Sequence, residues 1–258
     1  MRKFPQKRII GRLDIKGPNV IKGMQFEGLR VVGCPNTIAK RYYDQGVDEL
    51  LYIDTVASLY SRDNLFEVVS RTCENVHIPI TVGGGLRSLY DIECALSSGA
   101  DKVCLNTAAM ENMQILREAA VEFGSQCIVL SIEAMARTRG VWEAYRNYGR
   151  DSSGIDVVEW VQRASDCGIG EILVTSINRD GTKKGYDLEL FNAVRRVTDL
   201  PLIVSGGAGK ENDILNAFDL ANADAVAVGA AFHFGDIQLP SVRSAAINAG
   251  FQLRPVGL

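Results

Sequence analysis

The sequence predicts a single (β/α)8 barrel, an α/β fold, on three observations. Short β-type runs alternate with longer helical patterns along all 258 residues. Eight strand–helix pairs in a chain of about 250 residues is the size at which a parallel sheet closes on itself. The chain also repeats. Gly46-Val-Asp-Glu-Leu-Leu-Tyr-Ile-Asp54 resembles Gly168-Ile-Gly-Glu-Ile-Leu-Val-Thr-Ser176, and Ile78-Pro-Ile-Thr-Val-Gly-Gly-Gly85 resembles Leu200-Pro-Leu-Ile-Val-Ser-Gly-Gly207. The offset is the same from Glu49 to Glu171, Pro79 to Pro201 and Gly84 to Gly206, as an internal duplication requires. One domain over residues 1–258 is expected, with half-barrels at about 1–125 and 126–258. An open doubly wound sheet is the competing arrangement of the same elements.

The expected strands are Arg8–Asp14, Glu49–Asp54, Ile80–Gly83, Lys102–Asn106, Ile128–Glu133, Glu171–Ser176, Leu202–Ser205 and Ala225–Gly229. Each is a short apolar, often β-branched run ending in glycine, asparagine, serine or a carboxylate. The expected helices lie near Pro35–Gln45, Asp63–Asn75, Leu89–Ser97, Met113–Phe123, Asp156–Cys167, Leu188–Val197, Glu211–Leu220 and Pro240–Asn248. No linker rich in Pro, Gly or Ser interrupts them. The stretch Gly23–Gly33 reads as a loop after the first strand, a place where barrels carry mobile lids.

Composition narrows the function. Apolar residues make up 47%, enough for a large core. A net charge of −3 argues against nucleic-acid or membrane-surface binding. The first residues, Met1 to Arg8, are basic and lack a signal-peptide core, and the apolar run at Ala221–Phe234 is broken by Asp224. A cytoplasmic location is expected. Cys34, Cys73, Cys94, Cys104, Cys127 and Cys167 include no C-x-x-C pair and read as reduced, buried thiols. Only His77 and His233 are present, so neither a metal site nor a His-centred triad is expected, and no cofactor.

Chemistry in such a barrel gathers at the carboxyl ends of the strands. Asp14 and Glu133 end the first and fifth strands, which face each other across eight. A carboxylate on each side suits acid–base work on a substrate between them. Asp54 ends the second strand, where a helix cap or a lysine partner is the plainer reading. Lys22 follows the first strand and reads equally as an anion contact or a solvated side chain. After the sixth strand, with its Thr175, comes Asp180-Gly-Thr-Lys-Lys-Gly-Tyr-Asp187. Its Gly181 and Gly185 permit close backbone approach, and Asp187 suits a helix cap.

Glycines also end strands in both halves. Gly83-Gly84-Gly85 with Asn106-Thr107 stand in the first, and Gly206-Gly207 with Gly229-Ala230 in the second. Backbone N–H groups exposed there can hold a phosphate. The pattern predicts a ligand with a phosphate at each end; tight turns that simply need glycine are the alternative. At the opposite end, Arg8, Glu49, Lys102 and Glu171 begin strands one, two, four and six. They can pair into a neutral ring closing the barrel axis, for stability or as a gate over an internal route.

Together these residues resemble the cyclase-subunit (HisF) family of imidazole glycerol phosphate synthase, over nearly the whole chain. The matching pieces are Lys7-Arg-Ile-Ile10, Leu13-Asp14-Ile-Lys16, Val20-Ile-Lys22-Gly23, Phe123-Gly-Ser-Gln126, Thr175-Ser-Ile-Asn-Arg-Asp-Gly-Thr-Lys183 and Phe232-His-Phe234. The resemblance implies a partner glutaminase (HisH type) docked on the amino-terminal barrel face. It implies ammonia passing the charged ring and rising through the barrel. At the top, ammonia meets a bisphosphorylated ribulosyl aminoimidazole carboxamide nucleotide. The products implied are imidazole glycerol phosphate, on the route to histidine, and aminoimidazole carboxamide ribotide (AICAR).

Two positions depart from the family pattern. The second catalytic carboxylate is Glu133 where the family has aspartate, with Met135 where a lysine is usual. Arg12 replaces a small residue two before Asp14. Alternation puts Arg12 on the same inward face as Asp14. A guanidinium there favours ionised carboxylates and weakens either as a proton donor; alternatively it forms an internal ion pair with Glu133, or clamps a different anion. With Leu51-Tyr-Ile-Asp-Thr-Val-Ala-Ser-Leu-Tyr60, these changes also resemble a divergent branch. That branch implies ammonia delivery to a sugar amidotransferase making acetamidino groups for surface polysaccharide, without cyclisation.

Overall fold

The structure is a computed structural model that describes residues 6–56 and 63–256. Of the Leu51–Tyr60 run, residues 57–60 lie outside the described residues, as do Met1–Pro5.

The eight barrel strands are β1 (Arg8–Lys16), β2 (Glu49–Asp54), β3 (Ile80–Gly83), β4 (Lys102–Leu105), β5 (Ile128–Thr138), β6 (Glu171–Ser176), β7 (Leu202–Ser205) and β8 (Ala225–Val228). All neighbours are parallel, and β8 pairs back onto β1 with Arg8 opposite Ala225, so the sheet is closed. The open-sheet alternative is thereby excluded. The main helices are α1 (Pro35–Asp44), α2 (Asp63–Cys73), α3 (Leu89–Ser97), α4 (Gln114–Phe123), α5 (Val157–Ser165), α6 (Leu188–Arg195), α7 (Glu211–Leu220) and α8 (Leu239–Asn248). Asp156 and Asp187 cap α5 and α6 by accepting backbone N–H groups, as polar residues before apolar-periodic runs should.

Strand alternation sorts the core into two. Ile9, Leu13, Leu50, Tyr52, Leu130 and Val174 face outward and pack under the helices. Ile10, Leu51, Cys104, Val129, Leu173 and Ile203 face inward and fill the barrel. Of the cysteines, only Cys104 and Cys167 are buried; Cys34 is exposed and the other three are half-buried, and none is in a disulfide. The expectation of six buried thiols fails because helix-face cysteines flank the core rather than enter it.

The duplication is visible in backbone detail. A Cβ on Gly84 would stand 2.2 Å from the Asp54 carbonyl oxygen, and one on Gly206 2.6 Å from that of Ser176, the equivalent residue. Both glycines are left-handed, with φ of 98° and 94°. Asp101 accepts the Ile80 N–H and Asp224 the Leu202 N–H, again at matching positions.

One expectation is corrected outright. Gly23–Gly33 is not an open loop. Asn19–Met24 and Glu27–Gly33 form a β-hairpin whose first strand pairs with β1. A second hairpin, Val141–Arg146 with Asp151–Asp156, extends β5 at the corresponding place in the other half. Phe26 and Tyr148 sit at the two hairpin turns with positive φ, and their rings stack across the mouth at 4.2 Å.

Candidate active site

At the amino-terminal end, the four charges form a closed ring. Arg8 donates to Glu49 at 2.7 Å and to Glu171; Lys102 donates to Glu49 at 3.2 Å and to Glu171 at 3.0 Å. Each cation touches both anions, so the charges balance within the ring. Above it the inward residues are uncharged as far as Arg12, and apolar but for Thr81 on β3.

The carboxyl-terminal end is built differently. Arg12 is 3% exposed. Its Nε donates to Asp14 Oδ1 at 2.9 Å, and its Nη1 to Thr175 Oγ1 at 2.8 Å and Ser205 Oγ at 3.1 Å. Phe26 lies over the guanidinium, 5.8 Å from its ring centroid. The ion pair of Arg12 is therefore with Asp14, not with Glu133. Two residues apart on one strand face, they meet more readily than side chains across the barrel.

Lys22 is also corrected. It is neither in a loop nor solvated, because hairpin pairing carries it inward to 3% exposure. Its ammonium bridges Asp14 Oδ2 at 2.8 Å and Asp180, whose nearer oxygen is also at 2.8 Å. Burial alone would raise the Asp14 carboxyl; Arg12 and Lys22 outweigh it and hold the group well below the ordinary carboxylate range. Glu133 goes the other way. Burial pushes it up to about 7, against the Gly149 N–H it accepts at 2.8 Å and the more distant charge of Arg12. The expectation that Arg12 weakens both carboxylates as acids holds for Asp14 and fails for Glu133, where desolvation outweighs the guanidinium.

Two cavities open on the mouth, one in each half. The first is lined by Gly84, Gly85, Arg87, Asn106, Thr107, Ser131, Glu133 and Tyr148, and also by Asp54. The second is lined by Asp180, Gly181, Ser205, Gly206, Gly207, Gly229 and Ala230. The structure thus gathers the expected glycine-end residues into two facing groups. Thr175 stays out of both and holds Arg12 instead. Asp54 Oδ1 accepts the Val56 N–H at 2.9 Å, a bond within the bend after β2 that is neither a helix cap nor a lysine pair.

Tyr148, Asn147, Ser131 and Ser205 were not anticipated. Alternation in Val141-Trp-Glu-Ala-Tyr-Arg146 ahead of Asn147-Tyr-Gly149 is the hairpin signal that would have found the first two. The inward period of β5 and β7 would have found the serines. Among the described residues, no three His, Cys, Asp or Glu side chains group to hold a metal, and no helix is long and apolar enough to cross a membrane.

Fold and mouth together define a class: a half-symmetric (β/α)8 barrel with two facing glycine-walled cavities and two buried carboxylates between them. Comparison with known proteins then gives the family. The family described as "Histidine biosynthesis protein" matches residues 8–238. The chain is 57% identical over 203 residues (79% of this chain, 96% of the relative) to the imidazole glycerol phosphate synthase subunit HisF of Legionella pneumophila. It is 43% identical over 249 residues (96% and 99%) to that of Streptococcus sanguinis. With that of Thermobifida fusca the identity is 45% over 252 residues (96% and 98%). The chain belongs to the histidine biosynthesis protein family, in its HisF group.

Proposed function

We propose that this protein is the cyclase-type subunit of imidazole glycerol phosphate synthase. It uses ammonia at the barrel mouth to convert the bisphosphorylated ribulosyl aminoimidazole carboxamide nucleotide into imidazole glycerol phosphate and AICAR. The observation that carries this reading is the pair of facing glycine-walled cavities with Glu133 and Asp14 between them. In it, Gly85, Asn106 and Thr107 hold one phosphate; Gly181, Gly206, Gly207, Gly229 and Ala230 hold the other. Glu133, poised near neutrality, moves protons during addition of ammonia and loss of water. Asp14 stays ionised and stabilises cationic nitrogen as it forms. Lys22 fixes Asp14 and Asp180.

The floor ring admits ammonia. A neutral molecule needs no counter-charge in the apolar interior above, whereas an ammonium ion would. A HisH-type glutaminase on the amino-terminal face supplies it, and the protein works in the cytoplasm. The named relatives are HisF subunits, and no observation favours delivery to a sugar amidotransferase. The test is direct. Purified protein with the nucleotide and an ammonium salt should release imidazole glycerol phosphate and AICAR in equal amounts. Failure to turn over, with the protein folded and the nucleotide intact, rejects the reading.

A further inference from the structure

The five donor hydrogens of the Arg12 guanidinium are not equally placed. Nε is used by Asp14, and Nη1 by Thr175 and Ser205; Nη2 donates to no described residue, although the side chain is buried. Two polar atoms of the first cavity's lining are buried and without partners: the Tyr148 hydroxyl, whose residue feels the Arg12 charge, and Asn106 Oδ1. Native interiors rarely leave such groups alone. Both orphan atoms belong to the lining of the first cavity. Arg12 touches Ser205 of the second cavity, and its charge acts on Glu133, Cys104 and Tyr148, which line the first.

We infer that Arg12 is a specificity-determining residue: its free Nη2, together with the Tyr148 hydroxyl, grips an oxygen in the middle of the bisphosphate ligand, while its Nε pins Asp14. The oxygen belongs to a carbonyl, hydroxyl or carboxamide group, since the phosphates are taken at the ends. A lysine does not serve both purposes, because its donors sit on one nitrogen, whereas the guanidinium spreads its donors over three nitrogens in a fixed plane. This inference rests on the function proposed above and deepens it.

Binding and turnover of the bisphosphorylated nucleotide are measured on the full-length protein. Arg12→Met should weaken binding and lower kcat/KM by roughly 10²-fold. Tyr148→Phe should raise KM by roughly tenfold and leave kcat nearly unchanged. Arg12→Lys should keep the charge but not restore KM. The pH profile is a separate readout. Glu133 faces Arg12 and Asp14 from β1, Cys104 from β4, and Tyr148 and Arg150 from its own hairpin. Loss of the Arg12 cation should move the Glu133 limb of kcat/KM to higher pH, and Arg12→Lys should return it. A lower melting temperature in Arg12→Met with unchanged affinity and an unmoved limb means Arg12 is only structural, and overturns the inference. If Tyr148→Phe and Arg12→Lys, both folded, bind like the parent protein, it is likewise overturned. A parent protein that neither binds nor converts the nucleotide removes the proposed function and this inference with it.

Discussion

The two ends of the barrel carry the same kinds of side chain and use them differently. At the floor, two cations and two anions bond alternately, and each charge has two partners. At the roof, Arg12 and Lys22 crowd onto Asp14, Lys22 reaches on to Asp180, and Glu133 is left with one backbone N–H. A closed ring has little to offer a ligand. An open network keeps a donor and a half-neutral carboxyl in hand. Charge alone therefore does not mark the reactive end; incomplete pairing does.

The comparison can be broken most severely at Glu133. Glu133→Gln keeps the shape and removes the proton, so turnover with ammonium salts should fall roughly 10²- to 10⁴-fold. Steady-state rates at saturating nucleotide decide it; retained turnover would return Glu133 to a structural role. At the floor, Lys102→Ala leaves two buried glutamates to one arginine. Unfolding in denaturant should show a loss of up to about 3 kcal/mol, at the low end of what breaking a buried pair costs because Lys102 is partly exposed. In the complex with its glutaminase, the same change should let glutamine be hydrolysed without matching product. Unaltered coupling counts against a gate.

The pH dependence sharpens the contrast. Glu133 binds a proton up to about 7 in the folded protein, but only to its ordinary value of 4.5 when unfolded. The folded state holds the extra proton between those values. Stability contributed at low pH is thus lost as pH rises through that window, by up to about 1.4 kcal/mol per unit, and is level above it. Asp14 has the opposite sign: its contribution is present above the ordinary carboxylate range and disappears only in strong acid. Denaturation at pH 5 and pH 8 should show a flatter slope for Glu133→Gln than for the parent. An equal slope shows that Glu133 does not titrate there. The smallest effect belongs to the hairpins. Phe26→Leu should cost about 0.5–1.5 kcal/mol beyond lost area, read from the same unfolding curves.

How much of this was legible varies by residue. The barrel was, because eight apolar runs end in turn-forming residues and because Glu49 and Glu171, or Gly84 and Gly206, stand at one offset. The floor ring was, because strand starts fix which charges share the axis. The hairpins were not. The outer strands of both hairpins, Glu27–Gly33 and Asp151–Asp156, bury no residue, so periodicity has little to register there. Missing the first hairpin hid the burial of Lys22. Alternation placed Arg12 beside the carboxylates but could not choose between Asp14 on the same strand and Glu133 across the barrel. Nor does sequence report depth, and it was depth that raised Glu133 against a nearby cation.

The stacked rings of Phe26 and Tyr148 belong to opposite halves of the repeat, so the cover above the mouth is one seam joining two leaves. Neither leaf can lift while its ring stays seated on the other. The seam is weak, on the order of thermal energy to about 1.5 kcal/mol. On the function proposed above, a molecule that spans both cavities is expected to enter only when the leaves part.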